Sequence, residues 1–304
     1  MKEIVVLGSL NMDLVATAQR APEAGETLPG IDFKTVPGGK GANQAAAIGR
    51  LGGEVSLVGR TGADEFGERL IQSLRSQNVH TDLILRDEQA PTGVALIIVE
   101  ASGENRILII AGANGQVDAR DVQRLEPLLE RASLLVMQLE IPTETVEMAL
   151  KKASRAGVPV LLNPAPAYPI PPGWMPRIDY LVLNESEAQT ISGLKVTSLA
   201  SAQEAAQELQ KKGAKAVILT LGSQGAVLST QAGCWHVPAF HVDAVDTTAA
   251  GDAFIGGFAV SIQSQANLLE AVRFGNAAGA LATTKLGAQT SLPSREEVDH
   301  FLLK

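Results

Sequence analysis

The chain has a single cysteine, Cys234, in 304 residues. No intramolecular disulfide can form and a thiolate metal cluster is excluded, so a reducing cytoplasm is the expected setting. Histidine is also scarce: His80, His236, His241 and His300 are scattered without metal-ligand spacing and read as surface or core residues. Basic charge is short, with 25 Lys and Arg against 33 Asp and Glu and a net charge of -8, which argues against nucleic acid as a partner. No apolar run approaches the roughly 20 residues of a membrane span, and Ile4 to Leu7 is too short for a signal-peptide core. Neither membrane insertion nor export is expected. A Gly-x-Ser-x-Gly nucleophile elbow is missing too.

What is present suits a compact protein: 45% hydrophobic and 19% charged residues exclude disorder. Ile4 to Gly8, Leu134 to Met137, Val158 to Leu162, Tyr180 to Leu183 and Ala216 to Leu219 are short apolar runs without alternation, the pattern of strands buried on both faces. Helical patterns lie between them at Asp64 to Ser76, Asp118 to Arg131, Thr143 to Ala156 and Ser198 to Lys212. The alternation predicts a mostly parallel sheet covered by helices, with ligands beyond the carboxyl ends of the strands. Asp13 to Thr17, Thr27 to Val36 and a hairpin from Gly93 to Ile110 break the rhythm. Together they could form a small sheet serving as a lid that keeps water from a transferred group; a plain edge hairpin fits the same pattern. The five prolines from Ala165 to Pro176 read as a stiff loop.

The chemistry concentrates in Asp246-Thr247-Thr248-Ala249-Ala250-Gly251-Asp252. Small residues at a helix start present unpaired N–H groups and the positive dipole end to an anion. A carboxylate at Asp252 would repel a bound phosphate unless its work is to take a proton from a hydroxyl while those N–H groups stabilise a phosphoryl group in transfer. Gly38-Gly39-Lys40-Gly41-Ala42-Asn43 is a second glycine-rich helix start, without Walker A spacing; Lys40 and Asn43 suit sugar hydroxyls, and simple capping is the alternative. Asn11 and Asp13 share one face of an extended segment, and Glu140 follows a strand end. Asn184 and Glu187 have the spacing of a capping box and also of a water-mediated Mg²⁺ site. Thr220-Leu221-Gly222-Ser223-Gln224-Gly225 could admit a nucleotide close to the backbone. Gly256 and Gly257, costly inside a helix, imply close approach by a neighbouring helix or by nucleotide.

With both glycine-rich signatures in this order, and Asn184-Glu185-Ser186-Glu187 and Thr220 to Ser223 between them, the chain resembles the ribokinase family of carbohydrate kinases over essentially its whole length. The resemblance implies a single α/β kinase domain, a three-layer sandwich around a mostly parallel sheet. Its small β-sheet lid, inserted from about 13–36 and 93–110, would also form a homodimer interface. It implies ATP-dependent phosphorylation of D-ribose at O5, with deoxyribose, fructose or nucleoside kinases as alternatives and a sugar or nucleotide sensor as a non-enzymatic one. By position, Asp252 matches the catalytic base and Ala249, Ala250 and Gly251 the anion hole. Asn11, Asp13, Gly39, Lys40, Asn43 and Glu140 match sugar contacts, within matching surroundings at Gly112-Ala113-Asn114 and Asn163-Pro164-Ala165-Pro166. Asn184, Thr220, Gly222, Ser223, Gly225, Gly251 and Asn276 match nucleotide positions, and Glu187 the residue that organises Mg²⁺. Asp246, Thr248, Ala282, Lys285, Gly287 and Ser291 occupy the places of a K⁺ site. Many family members have glycine where this chain has Ala249, a substitution that matters if φ there is positive.

Overall fold

The computed structural model describes residues 2–303. Its strands are β1 (Glu3–Leu7), β2 (Asn11–Ala18), β3 (Asp32–Gly38), β4 (Val55–Gly62), β5 (Val79–His80), β6 (Ile84–Asp87) and β7 (Gly93–Glu100). They continue with β8 (Asn105–Ile110), β9 (Ala132–Met137), β10 (Val160–Leu162), β11 (Tyr180–Asn184), β12 (Ala216–Thr220), β13 (Ala226–Thr230) and β14 (Gly233–Val237). Among the described residues the main sheet runs β14-β13-β12-β11-β10-β9-β1-β4-β5, with β6 also on β4. It is parallel except at β12-β13-β14.

Successive residues of the central strands enter opposite cores. Ile4, Val6, Leu134, Val136 and Ile218 pack with Ile48, Leu70, Phe258 and Val272 on one face. Val5, Leu7, Leu135, Met137 and Val217 pack with Leu125, Leu150, Ala206 and Leu209 on the other. Burial on both faces is why these strands show no polar alternation in sequence. The helices Lys40–Arg50, Ala250–Gln263 and Leu268–Thr283 cover the first face, and Ala119–Leu129, Thr143–Ala156 and Leu199–Lys211 the second, which gives the expected three layers.

The remaining strands form a second sheet, β3-β2-β7-β8. Residues 27–31, expected to be extended and paired, lie outside it; β3 begins at Asp32. Pro29 has no N–H to give a ladder, and Gly30 weakens a strand. Pro37 is tolerated inside β3 because β3 is an edge strand. The sheet leaves Phe33 (62%) and Leu108 (61%) exposed on one face and Ile107 (54%) exposed on the other.

The glycine pair inside helix Ala250–Gln263 is explained by packing. A Cβ on Gly256 would lie 2.4 Å from Ala47 Cβ, and one on Gly257 would lie 3.1 Å from Ala278 Cβ. Neighbouring helices, not a nucleotide, occupy that space.

Candidate active site

The strand ends and two helix starts converge on Asp252, which is 7% exposed. Asp252 Oδ2 accepts Asn43 Nδ2–H at 3.1 Å and Oδ1 accepts Gln44 Nε2–H at 2.9 Å. Asn43 Oδ1 is buried without a protein partner. Lys40 N–H donates to Glu140 Oε2 at 3.0 Å, and Ser9 Oγ donates to the same oxygen at 2.5 Å. Gly39, with φ +87, lets the loop pass so close that a Cβ would stand 2.6 Å from the Asn11 nitrogen. Asn11 Oδ1 accepts from Asn114 Nδ2 at 2.7 Å, which leaves the Asn11 amino group as the donor available to a ligand.

The charges of this pocket perturb one another. Burial, then Glu140, then Asp252 push the Asp13 carboxyl from 3.8 up to about 7. Burial pulls the Lys40 ammonium down, but Asp252, Glu140 and Glu187 outweigh it and hold Lys40 above its ordinary value. Burial also raises Glu187, against the Asn184 N–H and Lys40. A group of carboxyls round one lysine, open to a cleft, is the arrangement expected of a site built to hold and move protons.

Beside Asp252, the helix start borders two adjoining hollows, with the Ala250 N–H donated to Thr247 O at 3.2 Å. One, of about 220 Å³, is lined by Lys40, Asn184, Glu187, Ala249, Gly251 and Asp252. The other, of about 360 Å³, is lined by Gly222, Ser223, Gly225, Phe240, His241, Ala250 and Asn276. Thr220, Thr247 and Gly251 line both, so the hollows form one continuous cleft. A Cβ on Gly251 would meet no atom within 4 Å; the cradle is open space of the kind a phosphate fills. Ala249, the N-cap, has φ 59 and ψ 9. The left-handed geometry that glycine adopts freely is therefore required here, and alanine adopts it at a cost of roughly 1 kcal/mol.

Some expected ligand residues also have structural work. Asn184 and Glu187 form the capping box: Asn184 Oδ1 accepts Glu187 N–H and Glu187 Oε2 accepts Asn184 N–H, both at 2.9 Å. That leaves the second Glu187 oxygen toward the hollow, suited to a hydrated Mg²⁺ rather than a fully dehydrated one. Asn276 Nδ2 donates to Val237 O and Pro238 O, both at 3.1 Å, bracing the wall of the larger hollow. Gly225 is bare because Val237 O lies 2.2 Å from where its Cβ would be; its own chain, not a nucleotide, takes that space. Gly222 (φ 52) has nothing within 4 Å and remains open to a ligand.

The Asp246 loop is tied to the segment 282–291. Asp246 Oδ1 accepts Thr248 N–H at 2.9 Å and Oδ2 accepts Gly287 N–H at 2.8 Å. The Val245 and Asp246 N–H groups donate to Thr283 O. Burial raises Asp246, but the Thr248 and Gly287 bonds prevail and hold it below its usual value. Ser291 is fully buried, donating to Ala288 O at 2.8 Å, and Lys285 Nζ is drawn to Glu297. Among the described residues no cluster of three or more His, Cys, Asp or Glu could hold a metal. A cation here would depend on Asp246 and backbone carbonyls, a donor set that fits a weakly held monovalent ion.

Sequence reasoning did not single out Gln44 as a partner of Asp252, nor Phe240 and His241 as cleft residues. Gln44 directly follows the quoted glycine-rich motif, whereas Phe240 and His241 lie in an irregular segment with no pattern to mark them. Beyond the geometry, a pfkB family carbohydrate kinase profile matches residues 1–295. The chain belongs to the pfkB family of carbohydrate kinases. Members of the family similar to it include a ribokinase of Schizosaccharomyces pombe, 45% identical over 98% of this chain and 97% of the relative. A deoxyribokinase of Salmonella typhi is 39% identical over 99% of this chain and 98% of its own. The fold is similar to that of Arabidopsis thaliana ribokinase complexed with ribose and ATP, at TM-score 0.92 and 32% identity over 99% and 98% of the two chains. No helix among the described residues is long and apolar enough to cross a membrane.

Proposed function

We propose that the chain transfers the γ-phosphoryl group of ATP to O5 of D-ribose. The observation that carries this reading is Asp252, buried where the Asn43 loop meets the helix start of Ala249, Ala250 and Gly251, with open space beside Gly251. The sugar lies against Asn11, Asp13, Gly39, Lys40, Asn43 and Glu140, whose carboxylates and amides can grip adjacent hydroxyls. Its reacting hydroxyl points at Asp252, which takes the proton as the O–P bond forms. The N–H groups of the cradle receive the charge on the phosphoryl oxygens. ATP lies along the larger hollow, past Thr220, Gly222, Ser223 and Asn276, with its terminal phosphate at Gly251. Mg²⁺, bound through water near Glu187, would spread the phosphate charge. K⁺ beside Asp246, Thr248, Ala282, Gly287 and Ser291 would brace the cradle loop without touching substrate.

The small sheet acts as the lid of a single kinase domain, with β2 supplying Asn11 and Asp13 from its base. Its exposed Phe33 and Leu108, on one face of the sheet, suit pairing with a second copy into a homodimer. One cysteine suits work in the cytoplasm. A second reading, 2-deoxy-D-ribose as substrate, is favoured by the deoxyribokinase relative. ADP release over D-ribose, 2-deoxy-D-ribose, D-fructose and a nucleoside decides between them. D-ribose giving the highest kcat/KM is expected, and another sugar exceeding it refutes the assignment.

A further inference from the structure

Asp252 is held from its buried side by a chain of neutral amides that no charge enters. Gln44 Nε2 donates to Asp252 Oδ1 at 2.9 Å and to Asn163 Oδ1 at 3.2 Å, while Gln44 Oε1 accepts Gln138 Nε2–H at 2.6 Å. Asn163 Nδ2 in turn donates to Val182 O at 3.0 Å. Gln44 and Gln138 are fully buried. The orientation of Gln44 is over-determined. Turned over, its oxygen would face the Asp252 and Asn163 oxygens, and its amino group would face that of Gln138.

Space has been made for this chain. A Cβ on Gly8 would lie 2.1 Å from Gln138 Oε1, so the bare residue after β1 is what lets Gln138 reach Gln44. The chain runs beside the ends of β1, β9 and β10 and reaches Val182 in the middle of β11, adjacent strands of the sheet. The other groups that act on Asp252 electrostatically, Lys40, Asp13 and Glu187, stand on the cleft side, where ligands come and go. Asn43, the second partner of Asp252, belongs to the sugar pocket.

We infer that Gln44 is a positioning residue that locks the Asp252 carboxylate, and that Gln138 acts on Asp252 only through Gln44. With Oδ1 fixed to the sheet, the lone pair on Oδ2 stays aimed at the sugar hydroxyl whichever ligands are bound. The inference rests on Asp252 being the base proposed above. It adds a prediction about two residues that do not touch the sugar.

The test is steady-state turnover of ATP with D-ribose by Gln44→Met, Gln138→Met and the double variant, with Asp252→Ala as control. Methionine keeps the volume and removes the donors. Gln44→Met is expected to lower kcat about tenfold or more with KM for ribose nearly unchanged, and Gln138→Met to lower it about threefold to tenfold. In the Gln44→Met background, Gln138→Met should add nothing. Full additivity, or an unchanged kcat in Gln138→Met, overturns the inference while leaving Asp252 as base. Normal turnover by Asp252→Ala instead overturns the reading beneath it. Where a variant unfolds, ¹⁵N NMR of the Gln44 side-chain amide in the parent and in Asp252→Asn gives the same decision. A shifted Gln44 amide on loss of the carboxylate is expected, and an unmoved one contradicts the contact.

Discussion

Replacing Gly251 by alanine separates the stability of the cradle helix from the use of the cradle. The added methyl meets no atom within 4 Å, so it brings no clash. Alanine exceeds glycine by up to about 1 kcal/mol in a helix interior; at the second position of helix Ala250–Gln263 about half of that is expected. For a chain of this size the gain corresponds to a Tm rise of roughly 1–2 °C. The methyl nevertheless stands where both hollows meet, in the space assigned to the terminal phosphate. Displacing that phosphate by about 1 Å is expected to lower kcat on the order of 100-fold. Thermal unfolding and coupled ADP-release kinetics on the same preparation measure both effects. A variant with unchanged Tm or better and kcat within about twofold of the parent would refute the assignment of the cradle.

The same substitution at Gly256, on the same helix, should do the opposite. Its Cβ would be driven to 2.4 Å from Ala47, so Gly256→Ala should lose about 1–3 kcal/mol by denaturant unfolding; an unchanged midpoint would contradict the packing account. Asp13→Asn tests the crowded carboxyls. A folded-state value raised from 3.8 to about 7 means that the group's contribution to stability is complete below about pH 4 and is lost as pH rises through 7. The full shift corresponds to roughly 4 kcal/mol, and about half survives solvent screening and relaxation. The Asp13→Asn substitution should therefore stabilise the sugar-free protein at pH 8 and not at pH 4, while weakening ribose binding; an equal effect at both pH values would remove the burial argument. Asp246→Ala frees the Thr248 and Gly287 N–H groups and should abolish stimulation by K⁺ over tetramethylammonium, whereas undiminished stimulation would place the cation elsewhere.

The buried parallel strands were legible because a strand covered on both faces writes itself as an unbroken apolar run, as in Ile4 to Leu7 and Ala216 to Leu219. The ends of the small sheet were less so: Pro29 and Gly30 interrupt the expected extended run before Ile31, whose N–H donates to Thr17 O at 2.7 Å. That Asp252 stands in the first turn of a helix opened by bare residues was legible in the local sequence. Two things were beyond local reading. Whether Ala249 sits at positive φ depends on how the loop before it is held, with Val245 and Asp246 pinned to Thr283. Which glycines face a ligand and which face another helix depends on packing partners far away in sequence, as Ala47 is for Gly256 and Val237 for Gly225. Gln44 and Gln138 stood next to quoted motifs, yet their contact joins residues 94 positions apart.

The central claim, that Asp252 serves transfer of phosphate from ATP to O5 of D-ribose, is tested most directly by ³¹P NMR of the products formed by the parent and by Asp252→Asn. The parent should convert ATP and D-ribose to ADP and a phosphomonoester on the primary hydroxyl, and the variant should do so at least roughly 1,000-fold more slowly. Equal product formation by the variant, or a phosphate on any other ribose oxygen, would contradict the account.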